Sequence, residues 1–263
     1  MYPVLLHLGP LTIYSFGLMM AIAFLTGTYF TGQELTRRGL NGEAASGMVF
    51  WAAVGGLAGA RVFSIAEDWG HFVSDPVHFL FSGAGFVWYG GLIGGCIAVS
   101  WSIYRHQLPW LTTVDCIAPA LVLAHAIGRV GCQLAGDGDW GRETTLPWGM
   151  AYPHAIIGWD KPPGVYVHPA PLYECLAYTS IFLFLWSIRK RALPPGTLFW
   201  WYLVLASAAR FLIEFVRVNN RVVLGLTTAQ LISIMLIAIG GWKLLSALAT
   251  PMPVPARFQA SKQ

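Results

Sequence analysis

Residues 125–143 read His-Ala-Ile-Gly-Arg-Val-Gly-Cys-Gln-Leu-Ala-Gly-Asp-Gly-Asp-Trp-Gly-Arg-Glu. They end a long apolar segment and carry Arg129, which a segment needed only to cross hydrocarbon would not contain. A charge within a span costs about 2.5–3.5 kcal/mol even on insertion scales, and such residues usually face a polar cavity. The segment therefore reads as a membrane span whose far end borders something polar.

The remainder of the chain agrees with that reading. With 56% hydrophobic, 14% aromatic and only 11% charged residues, the composition lies far from the roughly 25% charged content of soluble domains. A helix needs about 20 predominantly apolar residues to cross the bilayer core. Seven such runs occur, near 11–33, 44–66, 86–104, 113–132, 171–188, 196–217 and 226–248. The expected fold is all-α, a polytopic membrane protein of seven transmembrane helices forming a single domain over 1–263. Its one long connection, 133–170, is expected to form an external arm. The first run lacks the basic n-region and small-residue cleavage site of a secretory signal and reads as a retained span. Cys96, Cys116, Cys132 and Cys175 fall within or at the ends of spans, which argues against a disulfide framework and matches no zinc spacing.

Cytoplasmic segments carry the excess of Lys and Arg. The segments after spans one, three, five and seven hold nine (Arg37, Arg38, Arg105, Arg189, Lys190, Arg191, Lys243, Arg257, Lys262), and the alternate connections hold three (Arg142, Lys161, Arg221). The N-terminus is thus expected outside and the C-terminus in the cytoplasm. The formal charge of +4 reflects this belt, which favours anionic lipid headgroups. No basic stripe calls for nucleic acid.

Given that orientation, Arg61, Arg129 and Arg217 lie near the outer ends of different helices, with Arg210 two turns deeper. Glu214 follows Arg210 by four residues and precedes Arg217 by three, one helical face on which ion pairs form. Tyr89 starts span three, His168 and Glu174 start span five, and His125 lies one turn below Arg129. Each arginine alone could snorkel to the headgroups. Their convergence at one depth favours a shared anionic ligand, for which a phospholipid phosphate, gripped bidentately by guanidinium groups, is the natural choice.

Gly55, Gly56 and Gly59 in span two, and Gly90, Gly91, Gly94 and Gly95 in span three, have the spacing that lets helices approach closely. Thr12, Tyr14, Ser15 and Phe16 form a polar and aromatic start to span one. Residues 67–80 read as an outer loop with an interfacial turn, and Asp115 as a helix-start residue of span four. In the arm, Gly136-Asp137-Gly138-Asp139 suits tight turns. Trp140, Trp148, Tyr152, Trp159 and Tyr166 suit a segment lying in the headgroup zone, and a connection of this length commonly serves as a lid or binding loop. The two aspartates alternate too closely to supply a full calcium ligand set, so neither metal nor cofactor is expected.

Several of these stretches together resemble the prolipoprotein diacylglyceryl transferase family. They are Tyr89-Gly90-Gly91-Leu92-Ile93-Gly94, Gly128-Arg129-Val130-Gly131, Gly136-Asp137, Trp140-Gly141-Arg142, His168-Pro169-Ala170-Pro171-Leu172-Tyr173-Glu174 and Arg210-Phe211-Leu212-Ile213-Glu214-Phe215-Val216-Arg217. The resemblance covers nearly the whole chain. It implies a multi-pass enzyme of the bacterial inner membrane that moves a diacylglyceryl group from phosphatidylglycerol to the lipobox cysteine in the signal peptide of a prolipoprotein, releasing glycerol phosphate. It further implies that Arg129, Arg217, Glu214 and Arg61 match functional residues of the family. Guanidinium groups suit that reaction because a departing phosphate monoester gains charge. The chain departs from the family pattern at Tyr89, where histidine is usual, and at Cys132, Gln133, Ala135, Ala170 and Pro171. The extra residue before Trp140 leaves the family's acid as either Asp137 or Asp139. Tyr89 is accordingly expected to orient lipid or thiol, with His125 or Asp137 as base, Arg217 as a further catalytic group, and Arg129, Arg61, Arg210, Glu214 and Asp139 as substrate-binding groups. A lipid-binding or transferase relative without lipoprotein activity, and a small-molecule transporter, remain the alternative classes.

Overall fold

The computed structural model describes residues 1–9, 11–81 and 87–249; Phe86 at the start of the expected third span, and Arg257 and Lys262 of the charge count, lie outside them. The long helices fall close to the expected apolar runs: α1 (Ser15–Arg37), α2 (Ala44–Glu67), α5 (Trp88–Arg105), α6 (Trp110–Ala135), α7 (Ala170–Ile188), α8 (Thr197–Ile213) and α9 (Thr228–Ala249). Among the described residues, α1, α2, α6, α7, α8 with its 3-10 extension to Val216, and α9 are long and apolar enough to cross a membrane. Helix α5, with 18 residues, rises about 27 Å and stands outside that six. Lys243 lies within α9, its ammonium 4.8 Å from the Trp242 ring centroid.

The chain is predominantly helical, as expected, and short hairpins occur in its connections. β1 (Val4–Leu8) and β2 (Leu11–Tyr14) form an antiparallel hairpin, so α1 starts at Ser15 rather than near residue 11. A second hairpin pairs β3 (Arg221–Val223) with β4 (Leu226–Thr227), directly before α9. These segments are too short and too broken by Gly9 and Gly225 to show a strand period. Both glycines adopt positive φ, which costs a residue without Cβ little. The expected loop at 67–80 contains two six-residue helices, α3 (Trp69–Ser74) and α4 (Pro76–Phe81).

The chain divides into two compact units, Thr28–Thr113 and the remainder. In the first of these, α2 and α5 pack through their glycines. A Cβ on Gly59 would lie 2.3 Å from the Gly90 carbonyl oxygen, and one on Gly94 would lie 2.2 Å from that of Gly55. Glycine is required there because the two backbones touch.

In the other unit, Val122 and Ala126 of α6, Tyr178, Ile181, Leu185 and Ile188 of α7, and Leu198 of α8 form one buried cluster. Asp115 fixes these helices at one end, and it does so differently from the expectation. Helix α6 starts at Trp110, so Asp115 lies inside it and serves another helix. Its Oδ2 accepts from the Gly196 amide at 2.8 Å and its Oδ1 from the Phe199 amide at 2.9 Å. These are orphan donors of the first turn of α8, and a carboxylate there satisfies them and complements the helix dipole.

Candidate functional site

At the opposite ends of the same helices, charges delivered by separate elements meet. Helix α6 supplies Arg129, α7 supplies Glu174, α8 supplies Arg210, and the 3-10 turn after it supplies Glu214 followed by Arg217. The arm contributes Asp139. Glu174 has no solvent exposure. Its Oε1 accepts from Arg210 Nη1 at 2.5 Å, with Arg217 Nη1 at 3.7 Å, and its Oε2 lies 2.6 Å from Arg129 Nε. Glu214, also buried, places Oε2 at 2.9 Å from Arg210 Nη2 and 3.7 Å from Arg217 Nε. Its Oε1 accepts from Asn219 Nδ2 at 2.6 Å and Thr227 Oγ1 at 2.9 Å.

Asp139 divides its carboxylate between two helices. Oδ1 accepts from Arg217 Nη2 at 2.5 Å, Oδ2 accepts from Arg129 Nη1, and Arg217 Nη1 also donates to the Asp139 carbonyl at 3.3 Å. Burial by itself would raise the Asp139 carboxyl, but Arg217 and then Arg129 outweigh it and hold the group below the ordinary carboxylate range. Three guanidinium groups thus face three carboxylates, and the cluster is formally neutral. Such pairing is what makes ionised groups tolerable in a low-dielectric interior.

The arm is pinned around this cluster. Gly141 donates to the His168 carbonyl at 2.8 Å, Arg142 donates to that of Val216 at 2.7 Å, and His168 donates back to that of Arg142 at 2.9 Å. A Cβ on Gly141 would meet the Val216 carbonyl oxygen at 2.5 Å, so glycine there allows the arm to lie against the end of α8. The aromatic residues of the arm divide. Trp140, Tyr152 and Trp159 pack against one another with ring centroids 4.9–5.9 Å apart. Tyr152 is buried and donates to Gln133 Oε1 at 2.9 Å, and burial pushes its hydroxyl up to about 12. Trp148 and Tyr166 stay exposed.

Of the residues singled out from sequence, Arg129, Arg210, Arg217, Glu214 and Asp139 come together. Asp137 sits beside them, its Oδ1 accepting from the Asp139 amide at 3.3 Å. His125 stacks on Tyr178, with centroids 4.2 Å apart and planes at 24°. Arg61 and Tyr89 belong to the Thr28–Thr113 unit. Arg61 is buried in α2 with its guanidinium 5.8 Å from the Phe79 ring centroid, and Tyr89 sits in the first turn of α5, edge-on to Trp88. Sequence reasoning left out Glu174 as the hub of the cluster. A carboxylate in an apolar run carries the same insertion penalty as an arginine, and that was the available signal. Asn219 and Thr227 carried none. Cys132, Asp137 and Asp139 bring donor atoms within 4.8 Å of one another. Guanidinium groups already occupy both Asp139 oxygens, however, and their charge repels a cation.

These features define a helical membrane protein in which helix ends and the 133–170 connection enclose a charge-balanced arginine–carboxylate cluster. The family model described as prolipoprotein diacylglyceryl transferase matches residues 3–246, and the chain belongs to that family. Similar relatives are phosphatidylglycerol–prolipoprotein diacylglyceryl transferases. That of Thermosynechococcus vestitus is 31% identical over 258 residues, covering 95% of this chain and 94% of the relative. That of Clostridium tetani is 32% identical over 244 residues, covering 91% and 95%. That of a Nostoc species is 31% identical over 245 residues, covering 90% and 86%.

Proposed function

We propose that the protein transfers a diacylglyceryl group from phosphatidylglycerol to the cysteine thiol of prolipoproteins. The observation that carries this reading, beside family membership, is the convergence of Arg129 and Arg217 on the two oxygens of one anion. The thiolate attacks the glyceryl carbon of the lipid, a C–S bond forms, the C–O bond to phosphate breaks, and glycerol phosphate leaves with one more negative charge than the diester carried. Guanidinium groups already aimed at the phosphate oxygens stabilise that added charge. Arg210, Glu174 and Glu214 hold the two arginines in place. The thiol, with a reference pKa near 8.5, must lose its proton to attack. Asp137 is the better placed of the two candidate bases, since the His125 ring is engaged face to face with Tyr178. Arg61 as a phosphate ligand and Tyr89 as an orienting hydroxyl are proposed on the family resemblance.

The proposal extends to the whole chain acting as one domain in the bacterial inner membrane. Helix α5 serves as a seventh span, the N-terminus and the arm lie outside, and the C-terminus is cytoplasmic. The uneven distribution of Lys and Arg supports that orientation. The substrate segment presented to the enzyme is then the signal peptide of the prolipoprotein, and no nucleic acid is involved.

Mass spectrometry of a lipobox peptide incubated with the purified protein and phosphatidylglycerol tests the reading. A diacylglyceryl adduct is expected, reduced at least about tenfold by Arg129→Ala, which removes a charge-assisted contact of about 1.5–3 kcal/mol. A wild-type protein that yields no adduct overturns the assignment. Lys161→Cys should react with an impermeant thiol reagent applied outside, and reaction only after membrane disruption would reverse the topology.

A further inference from the structure

Asp139 differs from the other two carboxylates of the cluster. The Glu174 and Glu214 side chains have no solvent exposure and project from a helix and a helical turn, whereas the Asp139 side chain is 29% exposed and comes from a loop. That loop is bounded by Gly136 at φ +64° and Gly138 at φ +92°. Behind it the chain is held from Trp140 onward by the aromatic trio and by the Gly141 and Arg142 backbone bonds. The stretch 136–139 is held at its ends, by the Gly136 amide donating to the Cys132 carbonyl at 2.9 Å and by Arg217 Nη1 donating to the Asp139 carbonyl at 3.3 Å, and turns at its two glycines. Asp139 offers one oxygen to each of Arg129 and Arg217 within hydrogen-bonding range, whereas Glu174, close to Arg129, stands 3.7 Å from Arg217; two arginines grip two oxygens of a phosphoryl group in the same arrangement. A phosphoryl group aimed at the same guanidinium N–H groups competes with Asp139 for them. A phosphoryl group added beside an unmoved Asp139 would leave the cluster with an excess buried negative charge facing Glu174 and Glu214.

Resting on the lipid-phosphate reading of Arg129 and Arg217, we propose that Asp139 is a displaceable internal anion. Its carboxylate occupies the phosphoryl position in the empty enzyme, and phosphatidylglycerol or glycerol phosphate must expel it to bind. Expulsion releases the Asp139 carboxylate and carbonyl from Arg217, turns the 136–139 loop at its two glycines and sends the carboxylate toward its exposed side. The arginines are thereby kept aimed and compensated between turnovers. The affinity for any phosphoryl ligand is lowered by the competition, which favours release of the glycerol phosphate product.

Hydrogen–deuterium exchange on the wild-type protein tests this without a variant, with glycerol phosphate and phosphatidylglycerol nanodiscs as separate probes. Ligand binding ordinarily slows exchange around a site; here the peptide spanning 136–141 should exchange faster when either probe is bound. Acceleration by one probe alone identifies which phosphoryl source displaces Asp139. Slowed or unchanged exchange with both means that Asp139 stays in place and overturns the proposal. In equilibrium binding, Asp139→Asn should hold glycerol phosphate about tenfold more tightly than wild type, with Asp139→Glu, which keeps the charge, close to wild type. Equal or weaker binding by Asp139→Asn also overturns it. Transfer measured on the same wild-type preparation separates the two levels: an active enzyme whose Asp139 does not move refutes only the displacement, whereas an inactive one removes the lipid-phosphate reading and the displacement with it.

Discussion

Replacing Glu174 by glutamine removes one charge from a cluster in which three cations face three anions. Arg129 and Arg210 each lie within 2.6 Å of a Glu174 oxygen, and Arg217 lies 3.7 Å away. Glutamine is nearly isosteric, but its amide group turns donors toward at least one guanidinium. Breaking a buried ion pair by removing one partner costs about 3–5 kcal/mol, because the other charge stays buried without compensation. The oxygen that glutamine retains recovers part of this through a hydrogen bond to a charged donor, so Glu174→Gln belongs near 3 kcal/mol and Glu174→Ala near 5 kcal/mol. At about 2–4 °C per kcal/mol for chains of this size, Glu174→Gln should lower the melting temperature by about 10 °C. Thermal unfolding in detergent, followed by tryptophan fluorescence and by the monodisperse fraction on size exclusion, measures it. The double variant Glu174→Gln/Arg210→Gln restores formal neutrality and should lose less than the sum of the single variants. A Glu174→Gln protein melting within about 2 °C of wild type, together with strict additivity in the double variant, would refute charge balance as the organising principle of the cluster.

Three further outcomes are expected. Asp115→Ala should cost about 1–2 kcal/mol through loss of the cap on α8, read as lower thermal stability with faster amide exchange at Gly196 and Phe199. Gly59→Leu should destabilise by about 1–3 kcal/mol or abolish folding, since its Cβ has no room beside α5; Gly70→Ala, whose Cβ would meet nothing within 4 Å, should match wild type in the same melting assay. Asp139 has a folded-state pKa depressed below its unfolded value, so its stabilisation is fully present above the ordinary carboxylate value of about 3.9 and is lost as pH falls through the lower folded value. Melting temperature should therefore hold between about pH 7 and 5 and fall below about pH 4, with a shallower fall in Asp139→Asn.

The spans were legible because burial in lipid imposes a long apolar run whatever the tertiary contacts: the run read at 44–66 is α2, Ala44–Glu67. The glycine contact between α2 and α5 was legible for a related reason, since only the smallest residue permits such an approach. The counter-ions were not. Arg129 and Glu174, or Arg217 and Asp139, are distant in the chain, and no local spacing announces their pairing. Counting cations alone made the site look strongly positive, whereas the folded site is neutral. Asp115 misled for a similar reason, because a carboxylate near a helix start reads as a cap for its own helix when the first turn it serves belongs to α8. The hairpins went unseen because strands of two to five residues hold too few alternations to show a period.

The Asp115 cap has a mechanical consequence. From Asp115 to Arg129, α6 rises about 21 Å, and from Thr197 to Arg210, α8 rises about 20 Å. The two helices are thus tied at one end through the Asp115 carboxylate and at the other through Glu174, over nearly equal lengths. A pair of rods pinned at both ends cannot slip lengthwise past each other without breaking a buried charge-assisted bond at one end or the other. Transmission of force along these helices is therefore stiff, and whatever movement accompanies catalysis is confined to parts that carry no such double pinning.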